Sequence, residues 1–253
     1  MERWVGRVAL VTGASSGFGE VIAKRLAEYG MKVVGCARNI EKILALSESV
    51  KDCKGSVLAI QCDISKDEDI QSMFDKIKQT YGGVDVCVNN AGFSYNSSLL
   101  EATSEQWRQM LDVNVVGLLA CTRETVKSMK ERGVDDGHIV LMSSMSGHRV
   151  VPGSAGLHFY AATKHCVKAI TEGLRNELVA MKSNIRVSAI SPGLARTDFA
   201  RRTLGDEEKA EQRFSVMEPL TSDDVTDSVI YALSAPPRVQ IHDVLIRPTN
   251  SAY

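Results

Sequence analysis

Residues 7–29 read RVALVTGASSGFGEVIAKRLAEY, and their pattern indicates the fold class. The run 7–12 is short, apolar and rich in β-branched residues, which is typical of a buried strand. Glycine-rich residues follow it, and helical periodicity then continues through Tyr29. A strand, a glycine-rich turn and a helix in this order are typical of the first unit of a doubly wound α/β fold.

The same alternation of strand and helix continues along the chain. Strands are predicted over 7–12, 32–36, 56–61, 84–88, 138–142, 184–191 and 243–247. Further helices are predicted over 40–52, 67–80, 104–130, 158–182 and 223–235. Strands that are almost entirely apolar indicate a parallel sheet with helices on both faces. Because no repeat or linker interrupts the pattern, residues 1–253 are predicted to form a single domain with a Rossmann-type doubly wound parallel sheet.

Composition narrows the classes of partner. The chain is 44% hydrophobic and 24% charged, with a formal net charge of −1, so charge provides no reason to expect nucleic acid or an anionic membrane as a partner. No apolar run reaches the roughly 18 residues that suggest a membrane span. The N-terminus leads directly into a strand rather than a signal sequence, so a cytoplasmic location is predicted.

The cysteines and histidines do not indicate a disulfide framework or a metal site. Six cysteines are scattered with no Cys-x-x-Cys pair, which favours reduced thiols. The five histidines have no H-E-x-x-H or comparable spacing, so no metal is expected. Cys166 has no neighbours that would activate a thiolate and is predicted to be a small core residue.

The glycine-rich turn predicts a phosphate-binding loop. Its spacing is G-x-x-x-G-x-G, and glycines there let the backbone approach a pyrophosphate at the helix N-terminus. A tight connection without a ligand could use the same glycines, but the strand before and the helix after favour cofactor binding. The predicted cofactor-binding residues of this loop are Gly13, Ser15, Ser16, Gly17, Phe18 and Gly19.

The end of the second strand bears on the choice of dinucleotide. NAD-binding proteins usually place an acidic residue here, whereas an arginine accommodates the 2′-phosphate of NADP. This chain has Ala37, Arg38 and Asn39, and the planar guanidinium suits a phosphate. Arg38 and Asn39 are therefore predicted to bind NADP(H) rather than NAD, although a solvated surface arginine remains an alternative.

Motifs along the whole chain are similar to those of the short-chain dehydrogenase/reductase family. They are TGASSGFG at 12–19, CD at 62–63, NNAG at 89–92, Asn114, SSMSG at 143–147, YAATK at 160–164 and SPG at 191–193. Their order and spacing are specific, although each motif alone is not. The stretches MERW, CARN and SMSGHRVVP resemble more narrowly the group that holds vertebrate dehydrogenase/reductase member 11 and insect NADP-dependent farnesol dehydrogenases.

The YAATK motif carries the acid/base chemistry. Tyr160 and Lys164 are four residues apart on a predicted helix and therefore share a face. A phenol with a pKa of about 10 is a poor base at neutral pH, and a nearby ammonium lowers that pKa. Tyr160 is therefore the predicted acid/base, and Lys164 the residue that tunes it. The resemblance implies that both also bind the cofactor, with Lys164 on the nicotinamide ribose.

Two further polar residues are predicted to assist. Ser144 lies at the end of the fifth strand and could polarise the substrate oxygen. Ser143 and Ser146 compete for this role, and the family pattern S-S-x-x-G favours Ser144. The resemblance implies a proton-relay role for Asn114, through a water and Lys164; an asparagine satisfied by the backbone is the alternative.

The remaining cofactor contacts are implied by the resemblance alone. Asp63 and Ile64 would meet the adenine, and Asn90, Ala91 and Gly92 would line the nucleotide. Pro192, Gly193 and Thr197 would contact the nicotinamide end. Two positions depart from the family: 15 residues separate Ser144 from Tyr160, more than many members have, and Thr163 replaces the serine that often precedes the lysine.

The substrate is predicted to be a small lipophilic alcohol or its ketone or aldehyde, an isoprenoid such as farnesol or a steroid-like compound. Residues 93–96, 150–152 and a lid over 194–217 are predicted to form the substrate side. Its predicted apolar contacts are Val150, Val151, Leu157, Phe199, Leu204 and Phe214. A non-catalytic NADP(H)-binding sensor on the same fold is the competing class. Enoyl reduction and sugar-nucleotide epimerisation are minor alternatives. The resemblance implies a homodimer or homotetramer.

Overall fold

The computed structural model describes residues 1–199, 208, 211, 214–215 and 218–251. Within them, seven parallel strands form one sheet in the order β3-β2-β1-β4-β5-β6-β7. The strands are Val8–Thr12 (β1), Lys32–Ala37 (β2), Ser56–Gln61 (β3), Val86–Asn89 (β4), His138–Met142 (β5), Arg186–Pro192 (β6) and Asp243–Ile246 (β7). The predicted doubly wound parallel sheet is confirmed.

Helices connect the strands. They are Gly17–Glu28 (α1), Ile40–Ser49 (α2), Asp67–Tyr81 (α3), Ser104–Leu111 (α4), Leu118–Glu131 (α5), His158–Ala180 (α6) and Ser222–Ser234 (α7). Short 3₁₀ turns span Glu2–Trp4, Met145–Gly147 and Ala155–Leu157. No helix in the described part of the chain is long and apolar enough to cross a membrane. Most of the predicted lid, 194–217, lies outside the described residues.

Both faces of the sheet are buried. On β1, Ala9 and Val11 pack into the core beneath α1 and α7, while Val8 and Leu10 pack into the core on the opposite face. Side chains alternate between faces along a strand, so an all-apolar strand can serve two cores. Burying one such leucine contributes about 1.5–3 kcal/mol relative to leaving it exposed. The predicted helices on both faces are therefore confirmed.

One predicted helix is divided in the structure. The stretch predicted as a single helix over 104–130 contains a π-helical segment, Asp112–Gly117, between α4 and α5. Gly117 packs against the backbone of Ile64, where an added Cβ would lie 2.3 Å from the carbonyl oxygen. A π-helical turn inside a helix often marks a functional position. Periodicity does not reveal it, because the apolar stripe continues through the segment.

The prediction for Cys166 is wrong. The other five cysteines are buried or half-buried, whereas Cys166 is exposed on α6. That helix buries a stripe through Tyr160, Lys164 and Val167, and Cys166 falls beside the stripe on the outward side. All six thiols are free.

The strand order reverses between β1 and β4. The connections that follow these two neighbouring strands run in opposite directions, which opens a crevice at the carboxyl ends of the strands. The loops after β1, β2, β4, β5 and β6 meet around this crevice, and they carry the motifs identified in the sequence.

Candidate functional site

A cleft of about 1320 Å³ opens at the carboxyl ends of the strands. It exceeds the roughly 300–1,000 Å³ of an ordinary small-molecule site, which leaves room for two ligands. The predicted site residues that line it are Gly13, Ser15, Ser16, Gly17, Phe18, Arg38, Asn39, Asp63, Ile64, Asn90, Ala91, Gly92, Ser144, Tyr160, Lys164, Pro192, Gly193 and Thr197. Gly19 and Asn114 lie behind its wall.

The glycine-rich loop is braced by the segment after β4. The Thr12 hydroxyl accepts hydrogen bonds from the backbone N–H groups of Asn90 and Ala91, both at 3.0 Å. The Asn90 amide donates in return to the Thr12 carbonyl at 2.9 Å. Gly13 and Gly17 have φ values of 68° and 59°, in the left-handed region that favours glycine. These hydrogen bonds fix the loop against the segment after β4, at the edge of the cleft.

Gly19 serves packing within this loop rather than lining the cleft. A Cβ added there would lie 2.4 Å from both the Gly13 carbonyl oxygen and the Asn90 side-chain nitrogen. Only a residue without a side chain allows α1 to approach the loop so closely. The sequence motif predicted a cofactor contact at this position, and the structure indicates an indirect contribution through the loop's shape.

We expect Gly19→Ala to lower the free energy of unfolding by about 1–3 kcal/mol, because the added methyl overpacks a backbone contact. Gly173→Ala is the matched control: it lies within α6, and an added Cβ there meets nothing within 4 Å. The control should be stabilised by about 0.5–1 kcal/mol, since alanine is the better helix former. Denaturant unfolding of both variants measures the effect. Equal stability of Gly19→Ala and the wild type would contradict this interpretation.

The cations Arg38 and Lys42 line the cleft beside the ends of β2 and β3, together with the carboxylates of Glu41 and Asp63. Arg38 and Asn39 are exposed at its edge, and Lys42, in the first turn of α2, also lines it. Burial disfavours the ionised form of Asp63, but hydrogen bonds from Ser65 and the charge of Arg38 outweigh this and lower its pKa. The sequence motifs did not single out Lys42. Its place in the first turn of the helix that follows Arg38 was the available signal.

Ser144 and Tyr160 meet at the end of the cleft beyond β5. Ser144 caps the Met145–Gly147 turn, and its Oγ accepts the Ser146 N–H at 3.1 Å. Its hydroxyl donates to the Pro192 carbonyl at 3.4 Å and lies close enough to Tyr160 to act on the pKa of the phenol. Burial raises the pKa of Tyr160, and the nearby Ser144 hydroxyl opposes that rise. At neutral pH the phenol therefore holds its proton and can donate it.

Lys164 lies beneath the tyrosine. Its Nζ is 5.6 Å from the centre of the Tyr160 ring and donates to the Met142 carbonyl at 2.7 Å. Burial lowers the pKa of Lys164 to about 8. The group is thus mostly charged at pH 7, although the protein has removed it from water.

The geometry also distinguishes the three candidate serines. Ser143 is buried, and its hydroxyl faces the Lys164 carbonyl at 3.5 Å, away from the phenol. Ser146 contributes its backbone N–H to Ser144. Of the three, Ser144 is the one whose hydroxyl acts on the pKa of Tyr160.

Asn114 is fully buried in the π-helical segment. Its Oδ1 accepts the Phe93 N–H at 3.0 Å, and its Nδ2 donates to the Phe93 carbonyl at 2.9 Å and to the Thr163 hydroxyl at 3.2 Å. An added Cβ at Gly92 would lie 3.2 Å from Oδ1 and 3.7 Å from Lys164 Nζ. Glycine at this position therefore leaves a narrow gap between the amide and the lysine.

The wall near Tyr160 is largely apolar, but it differs from the predicted wall. Val151, Leu157 and Phe199 line the cleft, and the Phe199 ring lies 5.2 Å from the Tyr160 ring. Val150 is half exposed and does not line the cleft, because successive side chains of this segment point in different directions. Phe214 is buried against Arg196 instead. Leu204 lies outside the described residues.

Three other segments complete this wall, and sequence reasoning anticipated one of them. Tyr95 donates a hydrogen bond to Gln109 of α4, and both residues line the cleft. Gly156 approaches the Asn96 side chain so closely that an added Cβ would clash with it. The longer connection between Ser144 and Tyr160 therefore packs on the predicted 93–96 segment. Among the described residues, no group of three His, Cys, Asp or Glu side chains is placed to hold a metal ion.

Known proteins resemble the whole chain. Residues 7–208 match the short chain dehydrogenase family. Dehydrogenase/reductase SDR family member 11 from Gallus gallus is 51% identical over 99% of each chain. Farnesol dehydrogenase from Aedes aegypti is 43% identical over the full length of both. The closed form of serine dehydrogenase complexed with NADP⁺ superposes with a TM-score of 0.88 at 32% identity, over 97% of this chain and 96% of the other.

Proposed function

Because the chain belongs to the short-chain dehydrogenase family, whose members are oxidoreductases, we propose that it is an NADP-dependent alcohol dehydrogenase/carbonyl reductase. It interconverts a small lipophilic alcohol with the corresponding ketone or aldehyde. The observation that carries this proposal is the group of Ser144, Tyr160 and Lys164, the last two buried, at one end of a cleft whose other end holds Arg38.

The residues around the cleft fit a phosphorylated dinucleotide. A side chain on Gly13 would come within 2.9 Å of the Ala91 backbone, so glycine lets the loop pack against the segment after β4. A pyrophosphate would bind on this loop at the N-terminus of α1. Ser15, Ser16, Gly17 and Phe18 would hold the pyrophosphate. Arg38, Asn39 and Lys42 would meet the 2′-phosphate.

The other contacts follow the course of the cleft. Asp63 and Ile64 would hold the adenine, and Asn90, Ala91 and Gly92 the adjoining nucleotide. Tyr160 and Lys164 would hold the nicotinamide ribose, with Pro192, Gly193 and Thr197 at the nicotinamide. The serine dehydrogenase with NADP⁺ and a metagenomic short-chain oxidoreductase with NADP support this choice, whereas a Burkholderia phymatum relative was solved with NAD. The bound cofactor supplies or accepts the hydride.

Tyr160 is the proton donor in carbonyl reduction and the acceptor in alcohol oxidation. Its buried phenol stays protonated at neutral pH, which suits donation to a carbonyl oxygen. The Ser144 hydroxyl polarises the same oxygen as it gains negative charge. In the oxidative direction the phenolate must form. The Ser144 hydroxyl favours it, and an ammonium on Lys164, 5.6 Å from the ring centre, would favour it as well.

Asn114 supports the proton path from behind Gly92. Its Oδ1 accepts one protein hydrogen bond and has a second lone pair, and the gap at Gly92 separates it from Lys164. A water in that gap would bridge the two groups and let Lys164 exchange protons with solvent. This relay role was implied by the family resemblance and remains part of the proposal.

The substrate class rests on the wall around Tyr160. Val151, Leu157 and Phe199 provide apolar contact, which suits an isoprenoid or steroid-like substrate. The name of the Aedes aegypti relative supports farnesol as the first compound to test. A homodimer or homotetramer is proposed from the family, and exposed apolar residues such as Val116 and Leu119 offer surface for it.

The decisive experiment measures NADPH and NADH consumption against lipophilic ketones and aldehydes, and reduction of NADP⁺ and NAD⁺ with the matching alcohols. We expect turnover with NADPH and NADP⁺ strongly preferred. Tight NADPH binding without turnover on any compound would contradict the enzyme proposal and favour the non-catalytic sensor instead.

A further inference from the structure

A second polar cluster lies outside the cleft, where β6 and β7 approach the turn after β5. His148 follows the Met145–Gly147 turn, Ser191 lies on β6, and Asp243 begins β7. His148 Nε2 is 2.9 Å from Asp243 Oδ2 and 3.1 Å from Ser191 Oγ. Ser191 Oγ donates to Asp243 Oδ1 at 2.8 Å. None of the three lines the cleft.

The cluster contains Ser, His and Asp but is not arranged for nucleophilic catalysis. In a catalytic triad the serine and the aspartate contact different nitrogens of the imidazole. Here both contact the same nitrogen of His148, and the Ser191 hydroxyl donates to the carboxylate. Ser191 is also fully buried, so a substrate could not reach it. The cluster therefore has a structural role and does not itself act as a nucleophilic site.

What the cluster holds in place is the turn that carries Ser144. Ser144 begins this turn, and His148 ends it with a backbone N–H that donates to the Met145 carbonyl at 3.0 Å. On the other side, Ser191 precedes Pro192, whose carbonyl oxygen lies 3.4 Å from Ser144 Oγ. The side chain of His148 thus joins the two segments that touch the Ser144 hydroxyl.

The geometry points to His148 as a positioning residue that, by bridging Asp243 and Ser191, holds the Ser144 hydroxyl beside Tyr160. This inference rests on the proposed function, in which Ser144 polarises the substrate oxygen. Because the turn between Ser144 and His148 is short, a displacement at its end is transmitted to its first residue. A misplacement of about 1 Å in a catalytic group can cost about 100-fold in rate.

The neighbours of His148 indicate which ring nitrogen donates the hydrogen bond to Asp243. Lys168 Nζ approaches Nδ1 at 3.4 Å, and an ammonium can only donate, so Nδ1 accepts. The proton of the neutral ring is then on Nε2, where it is donated toward Asp243. A glutamine amide reaches about as far as Nε2, whereas an asparagine amide reaches only about as far as Nδ1. The two amides therefore form a matched pair.

The first test compares His148→Gln with His148→Asn in steady-state kinetics. We expect Asn to lower kcat about 10- to 100-fold with the NADPH dissociation constant unchanged, and Gln to restore most of the loss. In a Ser144→Ala background, measured at high enzyme concentration, His148→Asn should cost no more than about twofold further, because the residue it positions is gone. Equal effects of Asn and Gln, or a full effect without Ser144, would overturn the inference.

The second test needs no turnover. The ¹³Cζ resonance of Tyr160, labelled with ¹³Cζ-tyrosine and assigned with Tyr160→Phe, reports the surroundings of the phenol oxygen, including the position of the Ser144 hydroxyl. His148→Asn should shift this resonance in the same direction as Ser144→Ala, and His148→Gln should leave it near the wild-type position. An unchanged resonance in His148→Asn would refute the inference. A wild-type protein that turns over no substrate but gives the expected shifts would contradict the proposed function alone.

Discussion

Tyr160→Phe is expected to lower turnover by about 10²- to 10⁴-fold, the usual contribution of a positioned proton donor. The variant removes one oxygen and keeps the ring, so the packing against Phe199 at 5.2 Å remains. The buried phenol lies beside Ser144, and the serine hydroxyl that remains in the variant cannot replace it as an acid at the substrate oxygen. Stopped-flow and steady-state NADPH oxidation with the best carbonyl substrate measure the loss.

Tyr231→Phe is the matched control for this change. Tyr231 is 59% exposed on α7 and lies outside the cleft, so the same loss of a hydroxyl there should leave kcat at the wild-type level. The NADPH dissociation constant of Tyr160→Phe should stay within about tenfold of the wild-type value, the equivalent of one hydrogen bond of about 1 kcal/mol. If Tyr160→Phe kept more than a tenth of wild-type activity, another residue would have to be the acid.

Arg38→Leu is expected to weaken NADPH binding by about 10- to 100-fold while leaving NADH binding nearly unchanged. Hydrogen bonds to charged groups contribute about 1.5–3 kcal/mol. NADPH would lose such bonds between its 2′-phosphate and Arg38, whereas NADH has no 2′-phosphate and would lose none. Fluorescence or calorimetric titration of both nucleotides gives the ratio of dissociation constants. High salt should reduce the difference between wild type and variant, because Arg38 is exposed and its charge is screened.

Arg238→Leu removes another exposed arginine that does not line the cleft, and it should not change the ratio. Lys42→Leu tests the residue that the motifs did not single out. An equal loss of NADH and NADPH affinity in Arg38→Leu would mean that Arg38 supports the loop rather than the 2′-phosphate. A loss of NADPH affinity in Lys42→Leu but not in Arg38→Leu would transfer that role to Lys42.

The fold was accessible from the sequence because its signals are local. A strand such as Val8–Thr12 is buried on both faces, so nearly every residue in it is apolar and the run is visible in one dimension. The ends of elements were less accurate. The predicted strand at 84 begins at Val86, and the predicted helix over 104–130 contains the π-helical segment Asp112–Gly117. Hydrogen-bond register inside a helix depends on what packs against it, which periodicity does not encode.

The sequence motifs predicted most residues of the candidate site, since loops at the carboxyl ends of parallel strands converge on one edge of the sheet. Spacing alone could not choose among Ser143, Ser144 and Ser146, because neighbouring residues at a strand end point in different directions. Spacing also could not predict that Val150 lies outside the wall of the cleft or that Cys166 is exposed. Both depend on which side of a turn or helix packs against the rest of the protein.

The sequence alone predicted a parallel α/β domain with a phosphate-binding loop and a tyrosine–lysine pair, because each of these features corresponds to a short, contiguous sequence pattern. The contact of Ser144 with Tyr160, the position of Asn114 behind Gly92, and the cluster of His148, Ser191 and Asp243 required the folded chain. These join residues 16 to 95 positions apart, and such pairings arise from how strands and helices pack. Packing is a property of the whole core, so no local pattern records it.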